Sequence, residues 1–178
     1  MKLIILAGMP GAGKEEFLTA VEESGWPYLR MGDLVREVYL KRGLDQDTIS
    51  VGQFAQQERD EHGMGIWAER ASKRFQGRNH IVDGCRGLAE VDSFRLHSEA
   101  MTVVAIHSSP AVRYARLIER ARSDSPSDWK EFQERDRREM KWGLAELIAL
   151  ADEMVVNDTD LSTFHSRARD LMEGLTRT

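Results

Sequence analysis

Leu3-Ile4-Ile5-Leu6-Ala7-Gly8-Met9-Pro10-Gly11-Ala12-Gly13-Lys14 is the stretch that decides the fold. Its first half, residues 3–7, is an unbroken apolar run without alternation. Strands buried on both faces read this way, as in a parallel sheet with helices on either side. Its second half, residues 8–14, is a GxxxxGK motif, and Phe17, Leu18 and Val21 behind it carry helical spacing. Strand, glycine loop and helix in that order make a phosphate cradle. The glycines let successive N–H groups turn inward, and the helix N-terminus adds partial positive charge. The candidate phosphate-binding residues are Gly8, Met9, Pro10, Gly11, Ala12, Gly13, Lys14 and Glu15, with Lys14 reaching the β- and γ-phosphates of a nucleotide. The motif ordinarily continues with Ser or Thr, whose hydroxyl binds Mg²⁺, but here it continues Glu15-Glu16. Either a carboxylate sits near the metal, or water and phosphate oxygens hold it. Acids in a first helical turn also suit the helix dipole.

Outward from this stretch, shorter apolar runs recur at residues 26–29, 81–82, 102–106 and 154–156. Helical spacing fills the gaps. Leu161, Phe164, Ala168, Leu171, Met172 and Leu175 form one amphipathic stripe, and Trp67, Ala71 and Phe75 form another. Residues 144–150 are apolar nearly all round, which predicts a buried helix. Alternating strands and helices imply right-handed βαβ units. The expected fold is a three-layer α/β/α sandwich with a mostly parallel sheet of about five strands. A chain of 178 residues fits one domain, 1–178. Two stretches interrupt the alternation: a helical insertion over about residues 32–76, and a short polar break, Ser-Asp-Ser-Pro-Ser-Asp, within a region of about 120–130.

The net charge of −5 argues against a broad nucleic-acid face. One cysteine, Cys85, allows no intrachain disulfide, and no apolar run approaches the roughly 20 residues of a membrane helix. The opening apolar run is also too short for a secretory signal. The expected location is the cytoplasm.

Asp83 ends the third expected strand. At that sheet edge it either holds Mg²⁺ through water or caps the helix that follows. Arg86 beside it either contacts phosphate or lies on the surface. Arg113, Arg116 and Arg120 fall at i, i+3 and i+7 on one helical face, where like charges repel unless anions offset them. A triphosphate is such an anion, and acids on neighbouring helices are the alternative. Cys85 reads as a small buried hydrophobe. His107 closes the fourth strand and reads as packed or hydrogen-bonded; Asn157 follows the fifth strand, a candidate neighbour of a nucleotide base.

The loop Gly8-x-Pro10-Gly11-x-Gly13-Lys14 resembles that of nucleoside monophosphate kinases. Met31-Gly32-Asp33-Leu34-Val35-Arg36 looks like the adenylate-kinase stretch Thr-Gly-Asp-Met-Leu-Arg. Asp83-Gly84-Cys85-Arg86 looks like Asp-Gly-Phe-Pro-Arg less one residue, and Arg113, Arg116, Arg120 and Arg122 look like arginines leading into a lid. The closer resemblance, over nearly the whole chain, is to an archaeal family of adenylate-kinase-like, dephospho-CoA-kinase-like P-loop proteins. Its pattern includes residues 31–37, 82–86, Glu90-Val91, 105–110, 122–124, 134–139, Trp142-Gly143 and Ala151-Asp152.

The resemblance implies ATP and Mg²⁺ as cofactors and phosphoryl transfer to a small nucleotide-like acceptor, either a nucleoside monophosphate or a dephospho-CoA-like alcohol. Lys14, Asp83, Arg116 and Arg120 are then catalytic, with Arg120 also on the nucleotide. Asp33, Arg36, Arg59 and Arg86 serve the acceptor, and Asp83 serves the metal. Met31 stands where adenylate kinases carry threonine, a departure at the acceptor side. Two other readings are a P-loop ATPase or GTPase that switches a protein or RNA partner, and a nucleotide-dependent RNA-binding factor. The acidic balance and the lack of an aromatic-plus-basic stripe weigh against the last.

Overall fold

Five strands pair into a single sheet: β1 (Lys2–Ala7), β2 (Tyr28–Arg30), β3 (His80–Asp83), β4 (Ala100–His107) and β5 (Glu153–Val156). Their order is β2-β3-β1-β4-β5, and every pairing is parallel. The computed structural model describes residues 1–45, 47–121 and 125–177. Arg122, Ser123 and Asp124, in the middle of the expected lid, lie outside the described residues. Among the described residues no helix is long and apolar enough to cross a membrane.

The unbroken apolar run of β1 follows from its central place. Leu3, Ile5 and Ala7 face one side and join Trp67, Phe75, Phe94 and Leu144. Ile4 and Leu6 face the other and join Phe17, Phe164 and Met172. Successive strand side chains point to opposite faces, so a strand covered twice is apolar at every position. The first face is covered by α2 (Met31–Lys41), α3 (Val51–His62), α4 (Ile66–Ser72), α5 (Leu88–Arg95) and α8 (Leu144–Ala149). The second is covered by α1 (Lys14–Ala20) and α9 (Leu161–Thr176). The result is the expected three-layer sandwich. Trp67, Phe75, Phe94, Phe17 and Phe164 are all fully buried, and truncating any of them to alanine costs about 3–5 kcal/mol.

Where the run-reading of the sequence departs from the structure, edge position is the reason. The run at 26–29 predicted a strand two residues early; β2 is an edge strand, and Tyr28 is half exposed. Pro27 cannot donate to a ladder, although its carbonyl accepts from the Ile81 N–H at 3.0 Å. β5 is the other edge, so only Val155 is buried while Met154 and Val156 are exposed. Residues 144–150, apolar nearly all round, were expected to form a buried helix. Instead α8 buries Leu144 and Leu147 alone, and Leu150 is exposed. Phe75 lies beyond the end of α4 yet is fully buried.

β1 pairs with β3 on one side and β4 on the other, so the chain reverses direction across the sheet beside β1. In parallel α/β sheets the crevice for ligands opens at the carboxyl ends of the strands at such a switch. The glycine loop leaves β1 there. The insertion of α2, α3 and α4 follows β2 on one flank. On the other flank stand α6 (Pro110–Arg120) and α7 (Trp129–Lys141). α6 ends at Ala121 in a left-handed conformation, and Asp128 caps α7 through the Glu131 N–H.

Candidate active site

The loop begins where β1 ends. A turn closes it, with the Ala12 N–H donating to the Met9 carbonyl at 3.0 Å. Gly13 has φ 108°, and a Cβ there would lie 2.1 Å from Asn157 Nδ2. Only glycine meets both conditions. Asn157 Nδ2 donates to the Ala12 carbonyl at 2.9 Å, and the Ser108 hydroxyl donates to the Asn157 carbonyl at 2.6 Å. Arg116 completes this brace: Nη1 donates to Ser108 Oγ at 2.9 Å and Nη2 to the Asn157 carbonyl at 3.0 Å. Residues just after β4 and β5 thus hold the back of the loop. The Met9 and Ala12 side chains pack against the two apolar clusters, and neither residue lines the pocket.

Lys14 Nζ donates to the Gly8 carbonyl at 2.7 Å. Burial pulls the ammonium below its ordinary pKa, against the pull of the Asp83 and Glu139 charges. Asp83 ends β3 and is buried. Desolvation pushes its carboxyl up, against the charges of Lys14 and Arg30. Asp83 Oδ2 lies 4.0 Å from Arg30 Nε, while Oδ1 is buried without a hydrogen-bond partner among the described residues. Asp83 does not cap the next helix, since the residue before α5 is Gly87, with no side-chain cap. Glu15 faces Arg120 at 3.7 Å, and Glu16, which also lines the pocket, pairs with His165 at 3.1 Å.

One pocket of about 900 Å³ runs from this loop to the insertion. Lys14, Glu15, Asp83, Arg116 and Arg120 line it, as do Arg36 and Arg59 from the insertion and Arg86 from the segment after β3. Arg36, Arg59 and Arg86 each have a carboxylate. Arg36 pairs with Asp33 at 2.5 Å in the open, and Arg59 pairs with Glu90 at 3.2 Å with both side chains buried. Arg86 Nε lies 3.3 Å from Glu139, and its guanidinium stacks 4.6 Å from the centre of the Trp142 ring. Glu90 also accepts from the Arg86 N–H at 2.8 Å. Val35, Ala55, Trp67 and Leu144 supply apolar walls. Asp33 does not line the pocket; it stands exposed at the rim, bonded to Arg36.

The shared face expected for Arg113, Arg116 and Arg120 divides in the structure. Arg116 and Arg120 line the pocket, but Arg113 runs behind the loop to Asp136 on α7. Tertiary pairing with α7 separates side chains that helical spacing groups together. His107, expected to be packed or bonded, is exposed and lies off the pocket. Cys85 is buried, its thiol pushed well up by desolvation, as befits a small hydrophobe. Sequence reading missed Arg30, Glu90, Ser108, Asp136 and Glu139 as site partners. Glu90, Ser108, Asp136 and Glu139 did fall within the resembling pattern, and that was their only signal; Arg30 lies just outside it.

A family described as an AAA domain matches residues 7–133. A UPF0200 protein of Thermoplasma acidophilum is 42% identical over 172 residues, covering 96% of this chain and 94% of that protein. The chain is an AAA-domain protein of the UPF0200 family. A second UPF0200 protein, from Hyperthermus butylicus, is 38% identical over 98% of this chain and 95% of its own length. These archaeal relatives bear out the resemblance drawn from the motifs. The UPF0200 chain has the P-loop kinase fold. A gluconokinase from Sinorhizobium meliloti superposes with TM-score 0.61 at 18% identity, over 98% of this chain and 93% of that one. A shikimate kinase from Aquifex aeolicus superposes with TM-score 0.58 at 15% identity, over 99% and 98%.

Proposed function

We propose that this UPF0200 protein is a kinase that moves the γ-phosphoryl group of Mg·ATP to a small nucleotide-like acceptor. One observation carries the reading: a single pocket is lined both by the glycine loop with Lys14 and by Arg36, Arg59 and Arg86. A phosphate-binding loop alone serves any nucleotide hydrolase. A pocket of about 900 Å³ that reaches from the loop to the insertion, with charged and apolar walls, leaves an acceptor room beside the nucleotide.

The residues present fit a magnesium nucleotide. Asp83 Oδ1 is a buried carboxylate oxygen without a hydrogen-bond partner among the described residues, and Glu15 lines the same pocket. When bound, Mg²⁺ would neutralise phosphate oxygens, with Asp83 and Glu15 as its protein carboxylates. Lys14 would exchange its bond to the Gly8 carbonyl for phosphate oxygens. Arg120 would stabilise charge that builds on the transferred group, and Arg116 would hold both the loop and the nucleotide side of the pocket. The insertion, about residues 32–76, would hold the acceptor, and the segment at about 120–130 would close over ATP to exclude water.

The test is incubation of the protein with γ-labelled Mg·ATP and a panel of nucleoside monophosphates, dephospho-CoA and sugars, scored by product mass. The expected result is label transferred to one acceptor class. Phosphate release at one rate, with or without any acceptor, would favour an ATPase switch instead.

A further inference from the structure

Arg113 is 4% exposed and sits on α6, directly behind the glycine loop. Its Nη1 donates to the Pro10 carbonyl at 3.1 Å and to Asp136 Oδ1 at 2.9 Å, and its Nη2 donates to Asp136 Oδ2 at 2.5 Å. The guanidinium lies 4.9 Å from the centre of the Phe132 ring. The loop rests on this helix so closely that a Cβ at Gly11 would lie 2.8 Å from the Arg113 carbonyl oxygen. Pro10 and Gly11 line the pocket, whereas Arg113 does not.

A peptide unit is planar and trans, so its C=O and N–H point in opposite directions. The Pro10 carbonyl is aimed at Arg113, on the side away from the pocket. The Gly11 N–H is therefore turned toward the pocket. We infer that Arg113 is a positioning residue for phosphate binding: by holding the Pro10 carbonyl it presents the Gly11 N–H to a nucleotide's phosphate oxygen. Asp136 fixes the guanidinium by a two-pronged bond, which also neutralises its buried charge. The fork matters, because a lysine offers no planar pair of donors to serve both Asp136 and Pro10. This inference rests on the reading of residues 8–14 as a nucleotide phosphate site.

The experiment uses the full chain, with Mg·ATP and inorganic tripolyphosphate as probes. Calorimetry measures affinity, thermal melting measures stability, and the Gly11 amide is followed by nuclear magnetic resonance. In the wild type, tripolyphosphate should move the Gly11 amide proton strongly downfield, as a new charge-assisted hydrogen bond does. Arg113→Lys should weaken both probes about tenfold, the scale for one hydrogen bond to a charged group. Equal losses for the two probes would place the defect at the phosphates and not at the base. Wild-type affinity in Arg113→Lys overturns the inference, as does a Gly11 amide that stays still when the wild type binds. The amide measurement needs no variant, so it decides even where Arg113→Lys fails to fold. A wild type that binds neither probe overturns this inference and the nucleotide reading together.

Discussion

Lys14 Nζ and the Gly8 carbonyl oxygen, the two ends of the glycine loop, are joined by a hydrogen bond of 2.7 Å. The ammonium thus closes the loop on itself, beside the buried carboxylate of Asp83. Desolvation lowers its proton affinity, while Asp83 and Glu139 restore part of it. A charge held in this way is ready to exchange one oxygen for another, and phosphate is the stronger partner.

Lys14→Ala should abolish productive nucleotide binding. Calorimetric titration with Mg·ATP checks this; ATP affinity and turnover equal to wild type would refute the loop assignment.

Arg36→Ala should raise the KM for the acceptor and leave that for ATP nearly unchanged. Arg36 lines the pocket from the insertion, bonded only to Asp33 among the pairs described for it. Steady-state kinetics with each substrate varied in turn decide the matter. A change confined to the ATP constant would assign Arg36 to the nucleotide.

Arg120→Ala should lower kcat by roughly a hundredfold, the scale for loss of one charge-stabilising donor, with a much smaller change in ATP affinity. Arg120 lies 3.7 Å from Glu15 with both side chains partly exposed, so the loss of that pair alone should cost little stability. A near-normal kcat with a lowered melting temperature would make Arg120 a structural ion-pair residue.

Glu37 supplies a pH prediction. Hydrogen bonds from Arg74 first, and then Lys41, hold its carboxyl at about 2, below the ordinary 4.5. A depressed carboxylate contributes stability above its unfolded pKa and loses it as pH falls through the folded one. Arg74→Gln should therefore lower the urea midpoint at neutral pH. The gap from wild type should close as the pH falls from 4.5 toward 2. A gap constant across that window would show that Arg74 acts through packing and not through charge.

Much of the fold was legible because its signals are local. The apolar run at 3–7 and the glycines behind it report a strand, a loop and a helix start within one short segment. The turn at residues 8–14 was legible for the same reason: backbone conformation at Gly13 restricts which residue can stand there. The arginines were harder to read. Arg113, Arg116 and Arg120 share one helical spacing, yet one lies behind the loop and two line the pocket. Nothing in α6 itself distinguishes them.

By itself, then, the sequence determined the layers of the sandwich, the parallel strands and the place of the phosphate loop, since hydrophobic period and glycine spacing act over a few residues. Tertiary structure alone decided strand order, which strands became exposed edges, and which carboxylate holds which arginine. Arg59 meets Glu90, Arg86 meets Glu139 and Arg113 meets Asp136 across separate helices. A long side chain reaches many acids within its radius, and only the packing of helices on the sheet selects one. Arg59 and Arg86 stood out in the sequence, whereas Glu90 and Glu139 became their partners only through that packing.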